Sequence, residues 1–181
     1  MSCGVIRHAG NPPELAARTV LKPAATTMEM DDYNYRVLLG DAEGQNAELF
    51  EGALLCCPAF TLAHRASSIA ELIGYLAGEG KFVCKRDFCG PDLVLLDLDL
   101  SGAGRGFEAL EWIQSQPTRL FRVVVFSRKA NERDCARAYA LGADGFVAKP
   151  RSVPEMIAVL TRIEGWLKNS MIEGTDDFCA A

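Results

Sequence analysis

Apolar and polar residues follow two different periods along this chain. Five short apolar runs suit β-strands, and in the stretches between them apolar residues recur every three or four positions, as on one face of an α-helix. Two helix starts carry a capping box, with Ser68 three residues before Glu71 and Ser152 three residues before Glu155. The pattern predicts strands at residues 35–40, 59–64, 92–96, 121–126 and 145–148 and helices at residues 43–57, 68–78, 107–117, 131–141 and 152–167.

The third strand sets the fold class. Residues 92–96 have almost no polar face, which is typical of a central strand in a parallel sheet with helices on both sides. Strands that alternate with amphipathic helices indicate a doubly wound parallel sheet. We therefore expect an α/β protein, with five parallel strands in a three-layer (βα)5 sandwich. Residues 34–168 should form this domain, preceded by a flexible extension (residues 1–33) and followed by a short tail (residues 169–181).

Composition excludes several classes of function. The formal net charge is −5, so the basic surface of a nucleic-acid-binding protein is missing. No apolar stretch reaches the roughly 20 residues that span a bilayer, and the first residues do not resemble a secretory signal. We expect a cytoplasmic protein without a nucleic-acid or membrane partner. Its seven cysteines, an odd number, are expected to be free thiols, with redox sensing by Cys84 and Cys89 as the open alternative.

Four chemically active side chains follow the predicted strands. Asp41 comes after the first strand, Asp97 after the third, Ser127 after the fourth and Lys149 after the fifth. All parallel strands end at the same edge of the sheet, where α/β proteins bind ligands. Two close carboxylates repel each other unless a cation lies between them, and Mg²⁺ prefers such oxygen ligands. The pattern predicts a magnesium-assisted phosphoryl-transfer site in which Asp97 is the nucleophile.

This set of residues resembles the receiver domain of two-component response regulators, a flavodoxin-like fold. The spacings match as well, with 30 residues from Asp97 to Ser127 and 22 from Ser127 to Lys149. Finer features resemble the phytochrome-type response regulators, which are stand-alone receivers. The matching stretches are residues 90–100, the long loop 78–90, residues 138–142 and the pair Gly165-Trp166. Only 14 residues follow Leu167, so we expect no output domain.

The resemblance implies a role for each site residue. Asp97 would be phosphorylated, and Mg²⁺ would be held by Asp41, Asp97 and the backbone carbonyl of Asp99. Ser127 and Lys149 would bind the phosphoryl group, and Phe146 would be the aromatic switch that turns inward when Ser127 moves. The Lys149–Pro150 peptide bond would be cis.

The resemblance also implies partners and a mode of action. The phosphoryl donor would be a sensor histidine kinase of the phytochrome type. The chain would be a phosphoacceptor in a signalling phosphorelay and not an enzyme that turns over a substrate. Its output would be contact with a downstream protein, or a homodimer, through the face formed by the fourth helix, fifth strand and fifth helix. Tyr139, Phe146 and Trp166 are the aromatic candidates on that face.

Four positions depart from the family pattern. Gly40 stands where an acidic partner of Asp41 is expected, which should weaken metal binding. Arg128 replaces a small residue after Ser127 and would screen the phosphoryl group from water or hinder a docking kinase. Phe146 replaces the common Tyr, and Ser101 replaces a usual Pro.

Two other functions remain open from the sequence. The departures at Gly40 and Arg128 fit a degenerate receiver that binds partners without phosphorylation. The Asp97-Leu-Asp99 motif also occurs in haloacid-dehalogenase-type phosphatases, with Asp97 as nucleophile and Asp99 as general acid. That family places the motif after its first strand, whereas two strand–helix units precede it here.

Overall fold

A single parallel sheet forms the centre of the molecule. The computed structural model describes residues 33–42, 44–83, 90–100, 106–128 and 131–173. The strands are β1 (Tyr35–Gly40), β2 (Phe60–Ala66), β3 (Leu93–Asp97), β4 (Arg122–Ser127) and β5 (Gly145–Ala148), and the helices are α1 (Gln45–Leu54), α2 (Ile69–Ala77), α3 (Gly106–Gln114), α4 (Glu132–Ala140) and α5 (Val153–Glu173). The strand order is β2-β1-β3-β4-β5, all parallel. The predicted α/β, flavodoxin-like class is confirmed.

Helices cover both faces of the sheet. Helices α1 and α5 pack on one face, where their buried residues include Phe50 and Leu160, and α2, α3 and α4 pack on the other, with Leu72 and Leu110. All five residues of β3 are buried, which explains why this strand lacks a polar face. The three layers hold the ends of the strands in fixed positions, and the site depends on that.

The structure extends four elements beyond their predicted carboxyl-terminal limits, and of these strands β3 and β4 each end one residue later than predicted, at Asp97 and Ser127. Strand β2 was expected to end at residue 64, but it continues through Arg65 to Ala66, because a half-exposed strand at the edge of a sheet carries polar residues. Helix α5 continues to Glu173, since no Gly or Pro follows residue 168 before that point. Residues 1–32, 84–89, 101–105 and 174–181, which contain the predicted extension except for Tyr33, the Cys84–Cys89 pair and Ser101, lie outside the described residues.

The predicted helix caps form. Ser68 Oγ accepts a hydrogen bond from the backbone N–H of Glu71, and Ser152 Oγ accepts one from that of Glu155. Asn131 caps α4 through Asp134 in the same way. In the part of the chain that the structure describes, no helix is both long enough and apolar enough to cross a bilayer.

Glu71 joins three elements on the α2 side of the sheet. Its Oε1 accepts a hydrogen bond from Lys81 Nζ at 2.8 Å and lies 3.1 Å from His64 Nε2. Its Oε2 accepts hydrogen bonds from the backbone N–H and the hydroxyl of Ser67. The bond from Lys81, followed by those from Ser67, lowers the pKa of Glu71 from 4.5 to about 2.

Glu71→Gln is therefore expected to destabilise the protein in a pH-dependent way. A carboxylate whose pKa is depressed on folding stabilises the protein above its unfolded pKa of 4.5, and the gain disappears as the pH falls toward about 2. Because Glu71 is partly exposed to solvent, we expect a loss of only about 1–2 kcal/mol at pH 7. Urea unfolding from pH 7 to pH 3 should show the gap from wild type narrowing below pH 4.5. Glu51→Gln, which removes an exposed carboxylate from α1, is the control; an equal, pH-independent loss in both variants would contradict the assignment.

Candidate functional site

The sheet edge at the carboxyl ends of the strands brings three charged side chains together. Lys149 Nζ lies 2.6 Å from Asp97 Oδ2 and 3.9 Å from Asp41 Oδ1. All three side chains are at most 4% exposed. Ser127, at the end of β4, is also buried at this edge. The four residues that the sequence singled out therefore converge at this edge of the sheet.

Backbone hydrogen bonds fix the positions of these residues. The Lys149 N–H donates to the Ser127 carbonyl at 2.9 Å, and the Leu98 N–H donates to the Phe126 carbonyl at 3.0 Å. These bonds connect the ends of β3, β4 and β5 just beyond the last paired residues of the sheet. The lysine thus reaches Asp97 from a strand two places away in the sheet, although 52 residues separate them in sequence.

Asp41 is held by the start of α1. Its Oδ2 accepts hydrogen bonds from the backbone N–H groups of Asn46 and Ala47, so the carboxylate sits against the positive end of the helix. Its Oδ1 is buried and accepts no hydrogen bond. A buried carboxylate oxygen without a hydrogen bond is costly. This oxygen faces the Lys149 ammonium group and is free to coordinate a cation.

The predicted metal site is built from few side chains. Asp99 is exposed, and its backbone N–H donates to Asp97 Oδ1 at 3.0 Å. Across the described ranges, no group of three or more His, Cys, Asp or Glu side chains is arranged to hold a metal ion. The candidate metal donors are therefore Asp41 and Asp97, to which the resemblance adds the carbonyl of Asp99. Mg²⁺ is often bound by one or two carboxylates plus water and phosphate oxygens, so these residues fit it.

Gly40 leaves no room for a further carboxylate. A β-carbon at this position would lie 2.9 Å from Leu72 Cδ1, 3.2 Å from Leu100 Cδ2 and 3.3 Å from Leu96 Cδ1. All three leucines are fully buried. The space that an acidic side chain would need is filled by the core under α2. The close packing of these leucines therefore explains why a glycine stands at this position.

Other predicted residues surround this centre. Phe146 is buried and packs with the core on the side of α2, α3 and α4. A groove of about 560 Å³ runs along α4, β5 and α5, lined by residues that include Cys135, Tyr139, Phe146 and Lys149. Trp166 does not line this groove; Arg122, at the start of β4, lies 5.6 Å from its ring centroid. Trp166 thus lies toward the opposite edge of the sheet.

Two expectations near Lys149 have different outcomes. The described residues contain no cis peptide bond, so the expected cis Lys149–Pro150 bond is wrong for this structure. The trans form is the lower-energy isomer of an X–Pro bond, and Lys149 reaches Asp97 with it. Arg128 is exposed and lines a cavity of about 280 Å³ with Lys149, Pro150 and Arg151, and its effect on the phosphoryl group or on a docking kinase stays a prediction.

One residue of the site, an arginine on β2, has no signal in the sequence pattern. Arg65, on β2, donates hydrogen bonds from Nε (3.2 Å) and Nη2 (3.1 Å) to the backbone carbonyl of Asp41. Its Nε also lies 4.0 Å from Asp41 Oδ2. The hydrophobic pattern ended β2 one residue earlier, so nothing in it placed this arginine near the carboxylates.

Comparison with known proteins identifies the family. The family model of the response regulator receiver domain matches residues 65–161, more than half of the chain. The chain belongs to the response regulator receiver family. This membership places it among signalling domains, in agreement with the prediction that it is not a classical enzyme.

Curated relatives are longer than this chain. The phosphate regulon transcriptional regulatory protein PhoB of Rhizobium meliloti (strain 1021) is 32% identical over 84 residues, which are 46% of this chain and 35% of PhoB. The chain therefore matches about a third of that relative's length. The likeness does not extend to the rest of PhoB.

Solved structures confirm the resemblance to phytochrome-type response regulators. The phosphorylated cyanobacterial phytochrome response regulator RcpA is 28% identical, with a TM-score of 0.63, and the match covers 75% of this chain and 96% of RcpA. The bacteriophytochrome response regulator AtBRR is 29% identical, with a TM-score of 0.55, over 71% of this chain and 91% of AtBRR.

Proposed function

We propose that this chain accepts a phosphoryl group from a sensor histidine kinase on Asp97 and that the transfer changes a protein-interaction face. The observation that carries the proposal is the buried contact between Asp97 and Lys149 beside Asp41. It combines a nucleophilic carboxylate, a fixed ammonium group and a second carboxylate with an unused oxygen. The likeness to RcpA, which was solved in a phosphorylated form, supports the same chemistry here.

The transfer follows from the charges in the site. A carboxylate oxygen of Asp97 attacks the phosphorus of the kinase phosphohistidine, the P–N bond breaks, and its electron pair stays on the imidazole nitrogen. Lys149 pairs with Asp97 beforehand and neutralises the oxygens of the incoming group. Mg²⁺, held by Asp41, Asp97 and the Asp99 carbonyl, would supply further positive charge to the phosphoryl oxygens.

The interaction face shares a residue with the site. The groove along α4, β5 and α5 marks the α4–β5–α5 face. Lys149 lines that groove and also contacts Asp97. A phosphoryl group that draws Lys149 and the Ser127 hydroxyl toward itself would alter the packing around Phe146, and the face would change its affinity for a downstream protein or a second copy of the chain.

The proposal includes the phosphoryl donor and the location of the protein. The likeness to RcpA and AtBRR favours a phytochrome-type sensor kinase. The acidic net charge and the lack of a bilayer-spanning helix in the described ranges favour a partner that is a cytoplasmic protein over one that is nucleic acid or a membrane.

A phosphorylation-independent receiver is the second candidate, and the packing at Gly40 favours it. Leucines fill the position where an acidic residue would strengthen metal binding, so this site has one carboxylate fewer than the family pattern. The phosphatase alternative has less support, because the family match covers the motif region and Asp97 lies on the third strand of five.

Intact-mass analysis after incubation with acetyl phosphate tests the proposal. With Mg²⁺ we expect a single phosphoryl adduct that fragmentation assigns to Asp97, and without Mg²⁺ a much smaller yield. A folded protein that takes up no adduct under either condition would favour the phosphorylation-independent receiver. Turnover of p-nitrophenyl phosphate would instead support the phosphatase.

A further inference from the structure

A bulge in β2 directs Arg65 toward the site. Val37 of β1 pairs with Leu62, but the next residue, Leu38, pairs with His64, so Ala63 is the extra residue in β2. A bulge shifts the alternation of side chains by one position. As a result His64 faces α2, where it stacks on Tyr75, and Arg65 faces the side of α1. Without the bulge the two side chains would exchange faces.

The guanidinium group of Arg65 clamps the loop that begins at Asp41. In addition to its two bonds to the Asp41 carbonyl, Nη2 donates to the carbonyl of Ala42 at 3.4 Å. Gly44 has a φ of +82°, and a β-carbon there would lie 3.1 Å from Arg65 Nη2. The loop therefore packs closely against the arginine, which keeps the positive charge beside Asp41.

Asp41 consequently lies between two cations. Lys149 Nζ is 3.9 Å from its Oδ1, and Arg65 Nε is 4.0 Å from its Oδ2. Among the described residues no third carboxylate joins Asp41 and Asp97 in a group that could hold a metal ion, and leucines fill the space at Gly40. The charges of the four side chains cancel before any metal ion binds. A divalent cation that coordinates Asp41 is thus repelled by a nearby guanidinium group.

We propose that the charge of Arg65 lowers the affinity of the Asp41–Asp97 centre for divalent cations. The inference rests on the proposed function, since it assumes that this centre binds Mg²⁺. Arg65 acts through its positive charge beside Asp41 and does not itself coordinate the ion. The chain would then need a higher Mg²⁺ concentration than a receiver without this arginine.

Direct metal binding tests the proposal. Mn²⁺ titrations followed by electron paramagnetic resonance measure binding without any phosphoryl transfer. At low ionic strength we expect Arg65→Gln to bind Mn²⁺ about five- to tenfold more tightly than wild type, because a neighbouring positive charge is lost. At about 1 M KCl, where the screening length falls to about 3 Å, the difference should shrink to about twofold or less.

Two controls separate charge from structure. Arg65→Lys keeps the charge but not the clamp, and it should bind Mn²⁺ within about twofold of wild type. Arg137→Gln removes an exposed arginine from α4 and should leave the affinity unchanged. If Arg65→Gln binds no more tightly than wild type, or if Arg65→Lys changes the affinity as much as Arg65→Gln does, the proposal is overturned.

Asp41→Asn distinguishes failure of this inference from failure of the proposed function. It should abolish Mn²⁺ binding both in the wild type and in the Arg65→Gln background. If binding survives Asp41→Asn, the metal centre is not where we propose, and both proposals fall. If Asp41→Asn abolishes binding while Arg65→Gln leaves the affinity unchanged, only the role of Arg65 is refuted.

Discussion

Replacement of Asp97 by Asn is expected to abolish the phosphoryl adduct that acetyl phosphate forms with this protein. The carboxamide has nearly the same shape as the carboxylate, but it is not a nucleophile toward phosphorus. The protein should remain folded, because Lys149 still faces the carboxylate of Asp41. Intact-mass analysis in the presence of Mg²⁺ should therefore show the unmodified mass alone, and circular dichroism should match that of wild type.

Asp99→Asn is the matched control for this prediction. Asp99 lies two residues further along the chain and is exposed, and the contribution assigned to it is a backbone carbonyl, which the substitution keeps. Its adduct should form as in wild type. Loss of the adduct in Asp99→Asn but not in Asp97→Asn would exchange the roles of the two carboxylates and contradict the assignment of the nucleophile.

The fold was predictable because each element has its own signal. The five residues of β3 are buried on both faces, and an apolar run without a polar face is typical of a central strand in a parallel sheet. The convergence of Asp97 and Lys149 was also predictable, since parallel strands bring their carboxyl ends to one edge. This inference needs only the approximate strand ends, and the pattern located the end of β5 correctly and that of β3 to within one residue.

Features that depend on packing between distant residues were not predictable. The leucines that fill the space at Gly40 come from α2, from β3 and from the turn after β3. The sequence showed that an acidic residue was missing at position 40, but it did not show which side chains fill the space. Arg65 depends on a bulge, and one extra residue in an edge strand leaves no periodic signal. The cis bond was inferred from the family, and local geometry at Lys149 does not require it.

Lys149→Met is expected to lower the free energy of unfolding by about 3–5 kcal/mol in the absence of divalent cations. Methionine keeps the length of the side chain but removes the ammonium group from between Asp97 and Asp41. Two buried carboxylates would then lie close together without the nearest cation, and desolvation makes such a pair costly. Urea unfolding with EDTA measures the loss, and added Mg²⁺ should restore part of it, because the metal ion would replace the missing positive charge.

Two comparisons decide whether this loss comes from the buried charges. Lys168→Met breaks a partly exposed pair with Glu164 on α5, and it should cost about 0.5 kcal/mol or less. Adding Asp97→Asn to Lys149→Met should recover about 1–3 kcal/mol, since the double variant leaves a single buried carboxylate. Losses of equal size in Lys149→Met and Lys168→Met, or no recovery in the double variant, would mean that Lys149 stabilises the protein by packing alone. In that case the positive charge of Lys149 would not balance the charge of Asp97, as the proposed phosphoryl site requires.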